Sequence, residues 1–144
     1  MFSSIIFCLF FFLFNDFILE KNDWKGIYFL MHAIHNIAIG YMTYPSIKRI
    51  LLNDNFENVY HLNSHVGSLV YSLHFYHILR YYQRINTPEK IHHVISLLIV
   101  IPLSHIFFTN HDLLSYSLFS TTGFASVIHY ILLFFYKNNL FKLT

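Results

Sequence analysis

Long apolar stretches alternate with short polar segments along the whole chain. Five stretches hold few or no charged residues and approach the roughly 20 residues that a membrane-spanning helix needs. They are Phe2–Leu19, Ile27–Ile47, Val59–Leu79, Ile91–Phe108 and Leu113–Tyr136. The segments between them carry nearly all of the charge, and the polar residues within them fall on stripes. The pattern predicts a single all-α domain over residues 1–144, a polytopic integral membrane bundle of about five transmembrane helices.

The first stretch is as apolar as a signal peptide. It has no Lys or Arg before the apolar run and no small-residue cleavage motif, so we expect an uncleaved or a truncated span. Pro45 and Pro102 lie inside or near other stretches, where a missing backbone N–H and a steric clash should kink or end a helix. No Gly/Ser linker or internal repeat divides the chain.

Composition narrows the class of protein further. Hydrophobic residues make up 56% of the chain and charged residues 11%, which excludes a disordered chain. The net charge of +2 is too small for a nucleic-acid-binding surface, and the lone Cys8 cannot form an internal disulfide. The unusual feature is the presence of 11 His residues.

Lys and Arg divide unequally between the two sides of the predicted bundle. One side carries the two residues Lys48 and Arg49. The other side carries seven: Lys21, Lys25, Arg80, Arg84, Lys90, Lys137 and Lys142. The excess of positive charge predicts that the C-terminus is cytosolic. We expect a multi-pass protein of an endomembrane, the endoplasmic reticulum if the source is eukaryotic or viral.

In this orientation, seven histidines on four helices fall at one depth in the cytosolic half. They are His32, His35, His74, His77, His92, His93 and His129. On each helix they share a stripe with other polar residues by the i, i+4 relation: Tyr28, Asn36 and Thr43 on the second, Tyr81 on the third, Ser96 on the fourth, Thr122 and Ser126 on the fifth. Ionisable side chains inside a membrane usually mark a functional interior. The stripes therefore predict a His-lined cavity, although the same residues could serve as hydrogen-bonding contacts between helices.

Three segments carry a family resemblance: YHILRYY from Tyr76, TPEKIHHVISLLIVIPLS from Thr87 and FSTTGFASVIHYILLFFYKNNL from Phe119. Their order and spacing resemble the TLC superfamily (named for the TRAM, LAG and CLN proteins), in particular the small TLC-like membrane proteins of algae and giant viruses. The resemblance implies a helical bundle around a cavity open to the cytosol, with a role in lipid metabolism. The chain is shorter than such a bundle by at least one helix, so a second copy or another protein is expected to complete the cavity.

The resemblance also implies a chemistry. In ceramide synthases of this superfamily, adjacent histidines on one helix serve acyl transfer from acyl-CoA, and the matching positions here are His92 and His93. One imidazole would act as a general base on an amine or hydroxyl acceptor while the other orients the substrate. His32, His35, His74, His77 and His129 would line the substrate cavity. The expected partners are membrane lipid and acyl-CoA, with no metal, no other cofactor and no nucleic acid.

Two further functions stay open from the residues alone. The spacings HxxxH at His61 and His65, HxxH at His74 and His77, and the pair His92–His93 would suit a His-ligated metal or haem. The same fold would also suit a non-enzymatic lipid sensor or a membrane assembly subunit. Serine triads, phosphate-binding glycine loops and paired carboxylates within a span are missing from the sequence, which excludes the usual hydrolases and nucleotide enzymes.

Overall fold

The described part of the chain consists of helices. The computed structural model describes residues 2–52, 64–103, 111–122 and 124–140, of which 64, 65, 111–116, 124 and 125 are described by their backbone alone. The elements are α1 (Phe2–Lys21), α2 (Ile27–Leu51), α3 (Ser64–Tyr81), α4 (Thr87–Ile95), a π-helical turn (Ser96–Val100), α5 (His111–Thr122) and α6 (Phe124–Lys137). These ranges contain no strand, which confirms the all-α prediction. Parts of the third and fourth predicted spans, 59–63 and 104–108, lie outside the described residues.

Two helical stretches among the described residues are long and apolar enough to cross a membrane. They are Phe2–Lys21 and Ser117–Lys137, the second of which covers α6 and the end of α5. Five spans were predicted. α2 and α3 are long enough, with 25 and 18 residues, but their residues are not apolar enough for them to count as membrane spans. Their histidines and other polar residues, which form the interior stripes, lower the mean hydropathy of both helices.

α2 is the central helix of the described bundle. It packs against α1 and α3 on one side and against α5 and α6 on the other, while α1 packs mainly along α3. An apolar core joins α1, α2 and α3 through six buried side chains: Phe12, Ile27, Met31, Leu73, Tyr76 and Tyr81. Pro45 lies inside α2 and does not end it, since the helix continues to Leu51.

α4 begins at a strong helix-starting signal and changes its winding before a proline. The Asn86 side chain accepts a hydrogen bond from the backbone N–H of Glu89 while the Glu89 carboxylate accepts one from the backbone N–H of Asn86, a capping box, with Pro88 in the first turn. After Ile95 the helix widens into the π-helical turn, directly ahead of Pro102. Because a proline ring clashes with the carbonyl four residues earlier, the wider turn relieves that contact without ending the helix.

The segment before α2 is fastened to the end of α6. The Asn138 side chain accepts a hydrogen bond from the backbone N–H of Lys25 at 2.8 Å and donates one to the Lys25 carbonyl at 2.7 Å. The Trp24 ring stacks on Phe134 with 5.5 Å between ring centroids. Gly26 precedes α2 in the left-handed region, with φ of 67°, and a Cβ atom there would lie 3.0 Å from the Cβ of Lys137. These contacts bring α6 alongside α2, where both helices border the same interior space.

Candidate functional site

A cavity of about 570 Å³ lies between α2, α3, α4 and its π-helical turn, α5 and α6. Its polar lining comes from His32, His35, Asn36, His74, His92, His93, Ser96, Ser117, Thr121, Thr122, Ser126 and Tyr130. Its apolar lining comes from Val66, Gly67, Val70, Leu73, Val100, Ile101 and Leu118. The volume falls within the roughly 300–1,000 Å³ that is usual for small-molecule sites.

Five imidazole rings form a continuous chain at one end of this cavity. His32 stacks on His77 with 4.3 Å between ring centroids and an interplanar angle of 19°. The centroid distances along the remainder of the chain are 4.6 Å for His77–His93, 5.1 Å for His74–His93 and 5.3 Å for His92–His93. His77 is fully buried behind the lining, whereas His92 is exposed. α2, α3 and α4 therefore converge on one cluster through their histidines.

Two of the lining histidines are held in a known tautomer. His32 Nδ1 donates to the carbonyl oxygen of Tyr28, and His74 Nδ1 donates to the carbonyl oxygen of Val70, each at 2.9 Å. Since a carbonyl only accepts, the Nδ1 atom of each ring carries a proton. When the ring is neutral, its Nε2 atom then offers a lone pair.

Five ring nitrogens of the innermost imidazoles have no hydrogen-bond partner among the described residues. Both ring nitrogens of His77 and of His93, and Nε2 of His35, are buried and have no partner among the described residues. His35 Nδ1 donates to the Asn36 side-chain oxygen at 2.9 Å. Most buried polar atoms in folded proteins are paired, so a buried nitrogen without a protein partner suggests a place for a ligand, an ion or a water molecule.

Three of these imidazoles lie close enough to share one ion. His74, His92 and His93 can each offer a ring nitrogen such that the three atoms lie within 4.8 Å of one another. His74 comes from the middle of α3, while the adjacent pair lies in the last turn of α4. The exposure falls from His92 through His74 to the buried His93, so the group reaches from the surface to the wall of the cavity.

The structure brings six of the seven predicted histidines to this region and leaves one out. His129 is exposed on α6 and is not among the described residues that line the cavity. Its neighbour Tyr130 lines the cavity instead, with its ring 4.5 Å from that of His32. The prediction that His129 faces the interior is therefore wrong by one position, because the inward row repeats every four residues through Thr122 and Ser126 to Tyr130.

The other four histidines of the chain cannot be compared in the same way. His61 and His105 lie outside the described residues, and His65 and His111 are described by their backbone alone. The part of α5 whose side chains are described contributes Ser117, Leu118 and Thr121 to the cavity. The sequence analysis did not predict that Ser117 and Thr121 line the cavity. They are four positions apart and therefore share a face of one helix, which a search for that spacing would have found.

A buried acidic cluster lies next to the imidazole chain. Asp16 in α1 is 1% exposed, and one of its carboxylate oxygens accepts hydrogen bonds from the hydroxyls of Tyr76 at 2.5 Å and Tyr81 at 2.7 Å. Arg80 pairs with the other oxygen at 3.5 Å and also with Glu20. The Tyr76 ring lies 5.2 Å from His77, so this cluster borders the histidines.

Arg80 closes this cluster at the end of α3, beyond the predicted span. Burial tends to lower the pKa of its guanidinium, but the charges of Asp16 and Glu20 outweigh that effect, and the pKa lies above its ordinary value. In the sequence, the sign of this cluster is Asp16, a lone acidic residue near the end of an apolar stretch. A carboxylate in such a position needs a partner in the interior of the bundle. The packing that assembles the cluster also places the Tyr76 ring beside the His77 ring.

Comparison with known proteins adds no relative to this picture: no family model, no curated protein and no solved structure matches the chain.

Proposed function

We propose that this chain is a multi-pass membrane protein of TLC-like type that binds the apolar tail of a lipid or acyl chain in its histidine-lined cavity. The observation that carries the proposal is the change in polarity along the cavity. On α3 the lining runs from Val66 and Val70 to His74, and on α4 it runs in the opposite sense from His93 to Val100. At ~1.5 Å per residue, the imidazole end and the apolar end are separated by about 12 Å along α3 and by about 10 Å from α4 into the π-helical turn.

A cavity with one apolar end and one imidazole end is complementary to an amphiphile. The apolar end would take hydrocarbon. The Thr121 and Thr122 hydroxyls of α5, which also line the cavity, already donate to backbone carbonyls of their own helix, so hydrocarbon would not leave them unpaired. The imidazole end offers donors and acceptors to an oxygen-containing head group, such as a carboxyl or thioester. A uniformly polar cavity would favour a sugar or a nucleotide, and a uniformly apolar one would not need the buried histidines.

The outer surface of the bundle supports a membrane location. Phe7 on α1, Leu98 in the π-helical turn and Ile128 on α6 are all exposed, with Leu98 at 72%. Apolar side chains are exposed along α1, α4 and α6, a distribution that suits contact with lipid rather than water. The polar residues His32, Asn36 and His77 are buried inside, the reverse of the distribution in a water-soluble helical protein.

Transfer of the bound acyl chain is a further step that the resemblance implies. It would need His92 or His93 to take a proton from an acceptor amine or hydroxyl as that group attacks the acyl carbonyl. A general base is usually oriented through its second ring nitrogen. Because His93 has no such partner among the described residues, lipid binding is the better supported function and acyl transfer stays a prediction.

Photo-crosslinking tests the proposed binding. The full chain in lipid nanodiscs is incubated with a long-chain fatty acid that carries a diazirine near its methyl end, and the labelled peptides are mapped. We expect labelling of the segments around Val66–Val70 and 100–101. Val70→Trp should fill the apolar end and lower this labelling by roughly tenfold, equivalent to about 1.4 kcal/mol of binding free energy.

The matched control is Leu132→Trp, the same change at an exposed position on α6 that does not line the cavity. It should leave the labelling of the cavity segments unchanged. Labelling spread evenly over the exposed faces, with no difference between the two Trp variants, would mean that the probe reports only the surrounding bilayer, and the proposal would be wrong.

A further inference from the structure

Three imidazoles from two helices meet at the wall of the cavity without any carboxylate among them. We propose that His74, His92 and His93 bind a divalent transition-metal ion of the zinc type. Their ring nitrogens already lie within 4.8 Å of one another. In a tetrahedral site with metal–nitrogen distances of about 2.0–2.1 Å, two donors lie roughly 3.3 Å apart, so modest side-chain rotations would close the geometry.

The tautomer of His74 suits a metal ligand. Its Nδ1–H donates to the carbonyl oxygen of Val70, which leaves Nε2 unprotonated when the ring is neutral. Ligating histidines in metalloproteins almost always donate their second ring nitrogen to a carbonyl, a carboxylate or water, because this bond fixes the ring and raises its basicity. His74 therefore has the outer support of a ligand before any ion binds.

His93 supplies an independent observation. It is 3% exposed, and neither of its ring nitrogens has a partner among the described residues. Leaving a buried donor or acceptor unsatisfied destabilises a fold, so a fold that retains such a ring needs a reason for it. A metal ion would satisfy one nitrogen, and a polar ligand or water in the cavity could satisfy the other.

The backbone holds the adjacent pair in position. The capping box of Asn86 and Glu89 fixes the first turn of α4, and His92 and His93 follow within the next turn. Two adjacent residues on a helix point about 100° apart, so an ion that both bind would lie between their two directions. The His74 ring lies close to both, with its ring centroid 5.6 Å from His92 and 5.1 Å from His93.

The ligand set narrows the class of ion. Imidazoles suit zinc, copper, iron and nickel, whereas magnesium and calcium need oxygen ligands. Three protein ligands leave a fourth position of a tetrahedral ion open, as in catalytic rather than structural zinc sites. All three residues line the cavity, so the open position would face it, and His92 gives the ion access from the surface.

Cobalt titration tests the site without any lipid substrate. The full chain is purified in detergent with a tag that contains no histidine, stripped with a chelator and titrated with Co²⁺, whose visible absorption intensifies when the ion passes from six-coordinate water to a four-coordinate protein site. We expect about one Co²⁺ per chain, displaced by Zn²⁺. His74→Ala, His92→Ala and His93→Ala should each weaken binding by at least 10- to 100-fold, the loss already seen when only an outer-shell partner is removed.

His92→Ala is the decisive variant, because His92 is exposed and its removal leaves no hole in the interior. The matched control is His129→Ala, an exposed histidine on α6 that lies outside the group. Folding of each variant is checked by the fluorescence of Trp24. Failure of the folded wild-type chain to give a cobalt spectrum, or equal cobalt binding by His92→Ala and His129→Ala, would overturn the proposal. Neither result depends on lipid binding, so the two proposals fail separately.

Discussion

Removal of the buried Asp16 carboxylate should loosen the attachment of α1 to α3. The carboxylate accepts hydrogen bonds from two tyrosine hydroxyls, at 2.5 Å from Tyr76 and 2.7 Å from Tyr81, and pairs with Arg80. In Asp16→Ala both hydroxyls lose the carboxylate as acceptor, and Tyr76 keeps only its long 3.5 Å contact with the Tyr81 hydroxyl, while Arg80 keeps its contact with Glu20. The damage therefore comes mainly from the two tyrosines, which lie in the apolar core.

The magnitude follows from those two bonds. A hydrogen bond to a charged group contributes about 1.5–3 kcal/mol, whereas an average hydrogen bond between membrane helices contributes about 0.6 kcal/mol. Taking about 1.5 kcal/mol for each bond gives a loss of about 3 kcal/mol, the lower end of the range for breaking a buried ion pair. Tyr76→Phe should cost about half as much, because it removes one hydroxyl and leaves the ring in place.

The assay is reversible unfolding in detergent, followed by fluorescence of Trp24, the single Trp of the chain. A double-mutant cycle of Asp16→Ala and Tyr76→Phe isolates the coupling between the two residues. The matched control is Asn15→Ala, since Asn15 is polar and adjacent but, among the described residues, its side chain bonds to the Phe11 carbonyl of its own helix alone. A loss below about 0.5 kcal/mol for Asp16→Ala, or equal losses at the two positions, would refute the role assigned to the cluster.

Two further predictions concern topology and the start of α2. A glycosylation acceptor site engineered after Thr144 should stay unmodified, because seven of the nine Lys and Arg residues are predicted on that side; glycosylation there would contradict the predicted orientation. Gly26→Ala should lower the free energy of unfolding by about 1–2 kcal/mol, since Gly26 has φ of 67° and a Cβ atom there would meet Lys137. At Gly40 a Cβ atom would meet no described atom within 4 Å, so Gly40→Ala should be neutral or stabilising by up to about 1 kcal/mol. Equal effects of the two substitutions in the same unfolding assay would show that the backbone conformation at Gly26 is unimportant.

The helices and much of the cavity could be predicted because both follow from a helical repeat. His32 and Asn36 are one turn apart, so a single period brings both to the same face of α2, and both line the cavity. His92 and Ser96 are related in the same way on α4, although the π-helical turn begins at Ser96. A local period is sufficient for such pairs because no break in winding separates their members.

His129 and Tyr130 mark the point at which that reasoning fails. Residues three or four positions apart share a face of a helix. His129 lies three positions after Ser126 and Tyr130 lies four positions after it, so the sequence alone allows either residue to continue the stripe. The choice depends on the exact rotation of α6 against α2, which the Asn138 bonds to Lys25 and the Trp24 stack on Phe134 help to set. These contacts join residues more than 100 positions apart, so no periodicity within α6 could reveal them.

The same physics accounts for the assembly of the bundle and for its site. In the proposed membrane location, apolar side chains would gain little by leaving the hydrocarbon for a helix interface, so the helices would be held by packing and by polar contacts within the bundle. Asp16 with its two tyrosines is one such contact, and the rings of His32 and His77 are another. Asp16 has protein partners at both carboxylate oxygens: two tyrosine hydroxyls donate to one, and the other pairs with Arg80, although it accepts no hydrogen bond from a described residue. The ring nitrogens of His77 and His93 have no hydrogen-bond partner among the described residues. An interior group that is paired with neighbouring helices holds them together, whereas a buried group without a protein partner is available to a ligand. If both proposals hold, the open position of the ion and the imidazole end of the cavity would meet the same polar head group, while the apolar tail extends toward Val66 and Val100.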